Sequence, residues 1–384
     1  MWQDTLSLSF TQIGTVALVA NLANTAPQPL FGWWAGRTSA VRLVIVGVLL
    51  SGVFFSLSGL SHRFLPLLVA VALGGLGSAL FHPSAAAVAG SGHVGQRRRG
   101  MRMSIFSVGG NAGAALSPVV VGAAVGTFAL AGTLAVGVWV VVTAPLLWWL
   151  AQRAGMRGRP DTATGRPAGA RSSHPHRAPP AAPTSSSVIT LTAVVLLAGS
   201  RSWFQVSLIS YLPLWVADSG GGTQLAGTLL FLLMASVSVG SLLGGALSDR
   251  VGTGAVLLAA VAMLLPLFAL LLSVGEFRGT AAELAVTAAI GCCIGATFPV
   301  VIVAAQQAWP RNIGLAAGTV IGLGYLPGGL GATVVGLVAD RDGLLPALGG
   351  LHWPLAVGVG CAVVYLIVGR TTSPRANSPA GTDG

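Results

Sequence analysis

Arg201 and Gln205 show the clearest capacity for binding chemistry, because both fall inside the long apolar stretch 188–217. A charged side chain at the centre of a bilayer costs about 2.5 to 3.5 kcal/mol on insertion scales, so we expect Arg201 to face a watery cavity or an anionic partner. A guanidinium suits a phosphonate or carboxylate, which it binds through paired hydrogen bonds. Gln205 follows four residues later and lies on the same helical face. The pair predicts a site for an anionic substrate; the alternative is an arginine neutralised by an acidic side chain or by helix-end carbonyls.

His82 is the only histidine well inside an apolar stretch, and Pro83 follows it directly. Because the unperturbed pKa of a histidine is about 6.5, His82 is a candidate proton carrier. Pro83 frees a backbone carbonyl and bends the helix at this point. The alternative is a histidine that only forms a hydrogen bond between two helices.

Other polar residues at similar depth are candidates to line a solute pathway. They are Asn111, Tyr211, Gln306 and Gln307. Each could instead bridge two helices, through a bond of about 0.6 kcal/mol. Asn111 is the favoured member because glycines surround it, in the stretch 109–113.

A further set of residues predicts control of helix movement rather than binding. Glycines let helices approach closely, prolines bend them, and charged residues at helix ends fix orientation. The members are Gly32, Arg37, Pro83, Gly113, Pro118, Asp249, Arg250 and Gly328. For Asp249 and Arg250, plain solvation at a helix end is the alternative.

The composition places these residues in a membrane. The 384 residues are 54% hydrophobic and only 8% charged, against about 25% charged in a soluble domain. This excludes a water-soluble globule. The net charge of +11 comes from arginines in the gaps between apolar stretches, which favours membrane topology over nucleic-acid binding.

Eleven apolar stretches are long enough to cross about 30 Å of hydrocarbon. They are 11–36, 41–60, 65–90, 101–126 and 129–151, then 188–217, 223–248, 254–274, 279–308, 312–338 and 350–369. We therefore expect an all-α membrane protein with an N-terminal bundle (1–152), a disordered Arg- and Pro-rich linker (153–187), a C-terminal bundle (188–370) and a disordered tail (371–384).

The arginines predict the orientation of these spans. Sixteen fall in gaps on the same side as the linker, and three fall on the other side, Arg63, Arg278 and Arg341. Positive charge is retained on the cytoplasmic side, so the linker and the C-terminus should lie in the cytoplasm. We expect a multi-pass protein of the plasma membrane.

The two sets of spans match each other at an offset of about 213 residues. Residues 30–37 align with 243–250, Pro83 with Pro299 at 216, and the group Gly110 to Gly122 with Gly324 to Gly336 at 214. The pattern indicates a duplicated six-helix unit. The partner of span 188–217 would fall at about −25 to 4, so the first helix of the first unit is expected to be missing, through a misassigned start or a true truncation.

Several strings carry a family resemblance. The loop from Gly245 to Gly252 (GALSDRVG) resembles the motif between the second and third helices of each half in the major facilitator superfamily. The strings at 8–14, 28–32, 81–83, 109–113 and 314–343 resemble its fosmidomycin-resistance branch. The chain departs from that pattern in the absent first helix, in Gly36, which stands where the family usually has an acid, and in the long linker.

The resemblance implies a fold of 6+6 helices, with eleven visible here, and transport by alternating access. We expect proton-coupled efflux of a small or amphipathic, possibly anionic, molecule by a monomer without cofactor or metal. The alternatives are a uniporter or importer of a small metabolite, and a transport-inactive truncated relative. The residues show no selectivity filter for a channel and no clustered acids or nucleophile–base pair for an enzyme.

Overall fold

The computed structural model describes residues 10–90, 99–153, 185–274 and 277–372, and every regular element in them is helical. The first set consists of α1 (Phe10–Thr25), α2 (Gln28–Ala35), α3 (Ala40–Ser58), α4 (Phe64–Gly90), α5 (Arg99–Phe128) and α6 (Leu134–Arg153). The second set consists of α7 (Ser185–Val216), α8 (Gly222–Val251), α9 (Thr253–Leu272), α10 (Ala281–Ala308), α11 (Ile313–Asp342), α12 (Leu344–Gly349) and α13 (His352–Thr372). Most of the predicted linker and tail lies outside the described residues.

Within these residues, nine segments are long and apolar enough to cross a membrane, and they contain α3, α4, α6 to α11 and α13. The other two predicted spans are helical as well. α5 is a helix of 30 residues. The stretch 11–36 is divided into α1 and α2, each too short to qualify.

The division of that stretch has a local cause that the apolar pattern does not reveal. Pro27 and Pro29 flank the first residue of α2, and neither has a backbone N–H to continue the helical hydrogen bonds. Gln28 compensates in part, because its Nε2 donates to the Asn24 carbonyl at 2.9 Å. The helical hydrogen bonding is therefore interrupted within the single span that was predicted for 11–36.

Side-chain caps begin several of the helices. Ser39 caps α3 and Asn312 caps α11. Thr280 and Glu283 form a reciprocal capping box at the start of α10, and the Glu283 carboxylate also accepts from the Gly279 N–H at 2.8 Å. Such bonds satisfy N–H groups that a helix cannot pair internally, so Glu283 acts at a helix end, as its position near the end of a span predicts.

The largest buried clusters belong mainly to the second set. Phe204 of α7 and Phe268 of α9 are fully buried, and their rings meet edge to face with centroids 4.9 Å apart. A second cluster draws in Ala86 of α4 and Met103 of α5 from the first set. The two sets of helices are therefore joined through buried apolar contacts as well as through the polar contacts described below.

Candidate functional site

Arg201 lies on α7, where it is 2% exposed. Its Nη1 donates to Oε1 of Gln205, so the two residues share a helical face as predicted. Its Nε and Nη2 have no hydrogen-bond partner in the described part of the chain. The guanidinium thus carries two unused donors in a closed environment, although buried polar groups are normally paired.

Two aromatic rings from other helices cover the guanidinium. The Arg201 Cζ lies 5.6 Å from the ring centroid of Phe298 on α10 and 5.3 Å from that of Tyr325 on α11. Aromatic faces attract a desolvated cation by roughly 2 kcal/mol. Arg201 was expected to face water or an anionic group, but in this conformation the structure encloses it between α7, α10 and α11 instead.

The remaining predicted binding residues do not gather around Arg201. Tyr211 donates to the Ala332 carbonyl at 2.9 Å and so joins α7 to α11. Gln307 accepts from Thr253 Oγ1 at 3.1 Å at the far end of α10. Asn111 is half-buried on α5, in the other set of helices. Sequence spacing placed only Gln205 beside the arginine.

Gln306 forms hydrogen bonds that join the two sets of helices. It is fully buried, and its Oε1 accepts from Arg99 Nη2 of α5 at 2.8 Å. Its Nε2 donates to the Ala86 carbonyl of α4 at 3.1 Å. Gln306 therefore connects α10 with two helices of the first set, which corresponds to the bridging role given as its alternative to lining a solute pathway.

A second contact between the sets comes from Asp249 at the end of α8. Its two carboxylate oxygens accept from the backbone N–H groups of Gly100 at 2.8 Å and Met101 at 3.0 Å. These N–H groups begin α5, where the helix dipole favours a negative charge. Asp249 thus caps a helix of the opposite set, and Arg250 beside it is exposed.

Deeper along the same interface, α5 and α8 approach closely. Ser104 Oγ donates to the Ser241 carbonyl at 2.6 Å. The Ser104 hydroxyl also lies against Gly245 of α8. In the same way, the Ser248 hydroxyl lies against Gly100 of α5. Small side chains permit this backbone approach, as they do between membrane helices in general.

A third contact joins α2 to α11 through glycines. A Cβ added at Gly32 would lie 2.7 Å from the carbonyl carbon of Gly314. A Cβ added at Gly318 would lie 2.9 Å from the carbonyl carbon of Gln28 and 3.2 Å from the Cβ of Pro83. Real Cβ atoms do not approach backbone atoms below 3.0 Å. The approach of α2, α4 and α11 therefore requires glycine at Gly32 and Gly318.

Asn312 of α11 lies beside Gly36, the residue that stands where the family motif usually has an acid. It caps α11 by accepting from the Leu315 N–H at 2.9 Å, and its Nδ2 donates to the Trp33 carbonyl of α2 at 3.1 Å. Its amide fills the space beside Gly36, where a Cβ would collide with it. The neighbouring Arg37 lies over the Trp33 ring, 3.8 Å from its centroid.

The other predicted gating and coupling residues are distributed along the helices. His82 is half-buried on α4 and lies edge to face with Phe81; its ring forms no hydrogen bond within the described residues.

Gly328 packs inside the second set, where a Cβ would lie 2.8 Å from Val206 Cγ2. Gly113 is exposed on α5. Pro118 also falls within α5, but its side chain lies outside the description.

The polar contacts between the two sets share one end of the molecule. This end, which we call the linker side, is where α6 ends at Arg153 and α7 begins at Ser185. Along α5 the contacts extend from its start to Ser107, and along α11 they extend from its start to Gly322. Measured along each helix axis, this is a depth of about 12 to 15 Å from the linker-side end. Closure at this end depends on Asn312, Arg99 and Ser104, none of which was a candidate site residue in the sequence.

Comparisons with known proteins agree with this architecture. The family model of the Major Facilitator Superfamily matches residues 1–332. The fosmidomycin resistance protein of Escherichia coli is 29% identical over 351 residues, covering 89% of this chain and 81% of that protein. The uncharacterised MFS-type transporter YfnC of Bacillus subtilis is also 29% identical over 351 residues, covering 90% and 82%.

Solved structures show the same fold at low sequence identity. The transporter FucP, in its outward conformation, aligns with a TM-score of 0.68 and 15% identity over 97% of this chain and 92% of that one. A bacterial homologue of the iron transporter ferroportin, in an outward-facing state, aligns with a TM-score of 0.65 and 15% identity, covering 96% and 93%. The chain belongs to the Major Facilitator Superfamily, and it is a multi-pass membrane protein of that family of secondary transporters rather than an enzyme.

Proposed function

We propose that the protein exports a small anionic or amphipathic molecule across the plasma membrane in exchange for protons, by alternating access. The observation that carries this proposal is the buried Arg201 with two unused donors. The 29% identity to a fosmidomycin resistance protein supports efflux of a phosphonate-like molecule. We further propose that the protein acts as a monomer.

The geometry around Arg201 supports an anionic group as the ligand. A carboxylate or phosphonate offers two oxygens to the free Nε and Nη2, in the planar arrangement that a guanidinium favours. Phe298 and Tyr325 supply aromatic faces beside this position, which suit the apolar part of an amphipathic molecule. Within the described residues, the carboxylates of Asp218, Asp249, Glu283, Asp340 and Asp342 all fall in the end turns of helices or in the turn after α7, so a substrate is the best source of the missing charge.

The linker-side closure supports a state that is open at the opposite end. In alternating access, a transporter that is closed on one side of the membrane is open on the other. The arginine distribution predicts that the linker side is cytoplasmic. On that orientation, the linker-side closure supports the proposal of an outward-open state.

Substitution of Arg201 tests the substrate proposal. We expect Arg201→Gln to lower efflux of fosmidomycin and other phosphonates at least about ten-fold, because two charge-assisted bonds of about 1.5 to 3 kcal/mol each are lost. Arg201→Lys should retain partial activity, since it keeps the charge but not the planar fork. The measurement is efflux from cells, with membrane expression followed by size-exclusion chromatography.

The matched control is Arg63→Gln, which removes an exposed arginine between α3 and α4. It should leave efflux unchanged. If Arg201→Gln exports every phosphonate at the original rate, the anion site is wrong.

Proton coupling is tested with proteoliposomes that hold the purified protein. We expect an imposed pH gradient to drive phosphonate transport, and we expect His82→Gln to remove the gradient dependence while leaving downhill exchange intact. His82→Gln keeps the polarity at this position but does not titrate. Transport that is indifferent to the gradient in the original protein would identify a uniporter.

A further inference from the structure

Phe298 and Tyr325, the two aromatic residues over Arg201, also contact each other. Their rings meet edge to face with centroids 5.7 Å apart, and these centroids lie 5.6 and 5.3 Å from the Arg201 Cζ. Both residues are half-buried, whereas Arg201 is 2% exposed. The pair, which we call the aromatic lid, therefore separates the guanidinium from the surface of the protein.

The aromatic lid and an anionic group would compete for the same cation. The Arg201 Nε and Nη2 lack a hydrogen-bond partner among the described residues, so the two rings take the place of an anion beside this charge. An aromatic face attracts a desolvated cation, but paired charge-assisted hydrogen bonds are stronger. An anion that reaches Arg201 can therefore displace the lid, but it binds less tightly than it would if the rings were absent.

Building on the proposed function, we infer that Phe298 and Tyr325 lower the affinity of Arg201 for the exported anion in the linker-side closed state. In that state the rings cover the cation, so an anion that has been released does not readily bind again. A difference in affinity between two states is what ties ligand binding to the change of state. The aromatic lid thus favours binding from the linker side and release at the opposite side.

The position of Phe298 is connected to α8 through a proline. Pro299 follows Phe298 directly inside α10. Because Pro299 has no backbone N–H, the carbonyl of Gly295, four residues earlier, lacks its usual helical partner. The Ser241 Oγ of α8 donates to this carbonyl at 3.2 Å. Ser241 therefore supports α10 at the turn that carries Phe298.

Ser241 also belongs to the linker-side closure. Its carbonyl accepts from Ser104 Oγ of α5 at 2.6 Å, and its hydroxyl accepts from Ser107 Oγ at 3.4 Å. A continuous series of hydrogen bonds thus runs from α5 through Ser241 to the turn beside Phe298. Separation of α5 from α8 breaks this series, so we expect the lid to move away from Arg201 when the linker side opens.

The first test measures how well the aromatic lid covers Arg201, and it needs no substrate. The purified protein is treated with phenylglyoxal, which modifies arginines, and modification at Arg201 is followed by mass spectrometry of chymotryptic peptides. Phe298→Leu and Tyr325→Leu should each raise the rate at Arg201 about ten-fold, because leucine is smaller and has no aromatic face. Tyr325→Phe keeps the ring and should restore the slow rate.

The control for this test is Phe268→Leu, which removes a buried ring of the same set of helices that packs against Phe204 rather than Arg201. It should leave the rate at Arg201 low. If the two lid variants are modified no faster than Phe268→Leu, the rings do not cover the arginine and the inference is wrong.

The second test measures competition, by equilibrium binding of fosmidomycin to the purified full chain. The double variant Phe298→Leu, Tyr325→Leu should bind about ten-fold more tightly than the original protein, because the anion no longer displaces two rings. A purely structural role of the rings would give weaker binding instead. Equal or weaker binding by the double variant would overturn the inference alone, whereas no binding by either protein would reject the proposed anion site together with it.

The third test addresses the connection to the linker-side closure. Ser241→Ala removes the donor to the Gly295 carbonyl and should raise phenylglyoxal modification of Arg201 while both rings remain. The matched control is Ser238→Ala on the same helix, where the hydroxyl donates to the Met234 carbonyl of α8 itself at 3.4 Å. Equal rates at Arg201 in the two serine variants would show that the aromatic lid does not respond to the closure.

Discussion

Gly32→Leu should reduce transport by about 5- to 150-fold without removing the protein from the membrane. The added Cβ would lie 2.7 Å from the Gly314 carbonyl carbon, which belongs to backbone and cannot move aside as a side chain can. Overpacking of this kind costs about 1 to 3 kcal/mol, and here the cost falls only on the state in which α2 and α11 touch. The variant should therefore favour the state that is open on the linker side.

Thiol labelling measures this shift. Ser104→Cys, in a background without the three native cysteines, places a thiol at a fully buried position between α5 and α8. A membrane-impermeant reagent on the linker side should react slowly with this thiol when Gly32 is present and faster in the Gly32→Leu variant. Gly329→Leu on α11 serves as the control and should change neither transport nor labelling. Unchanged labelling in Gly32→Leu would show that the glycine contact does not govern closure.

Asp249→Ala should weaken the linker-side closure at its other contact, between α5 and α8. The carboxylate accepts from two backbone N–H groups at the start of α5, and hydrogen bonds to a charged group are worth about 1.5 to 3 kcal/mol each. Their loss should lower the population of the linker-side closed state at least about ten-fold. Labelling of Ser104→Cys from the linker side should rise accordingly, and transport should fall.

The isosteric variant separates charge from geometry. Asp249→Asn keeps one acceptor oxygen but loses the interaction of a negative charge with the helix dipole, so labelling and transport should fall between those of the original protein and Asp249→Ala. If Asp249→Asn shows the labelling and transport rates of the original protein, the negative charge contributes nothing to closure. If Asp249→Ala also shows those rates, Asp249 has no part in gating.

The sequence predicted the membrane-spanning helices well because length and apolarity are local properties. It did not reveal the interruption in the stretch 11–36, where Pro27 and Pro29 divide the predicted span into two helices. The pairing of Arg201 with Gln205 was also predictable, since both lie on one helix and helical periodicity alone brings them together.

The polar contacts between the two sets were not predictable in the same way. Gln306 was a candidate either to line a solute pathway or to bridge two helices, but its partners, Arg99 and Ala86 on helices more than 200 residues earlier in the chain, could not be named from the sequence. Phe298 and Tyr325 gave no signal, because aromatic residues in apolar stretches usually pack against lipid or neighbouring helices. Partner choice across two helices depends on packing, which periodicity does not encode.

The two contacts at the linker side differ in electrical character. Asp249 holds α5 with a formal negative charge, whereas Asn312 joins α11 to α2 through a neutral amide. Dissolved ions screen a partly exposed charge but have little effect on an uncharged hydrogen bond. Rising ionic strength on the linker side should therefore weaken the part of the closure energy that the α5–α8 contact supplies, while the part supplied by the α2–α11 contact stays constant.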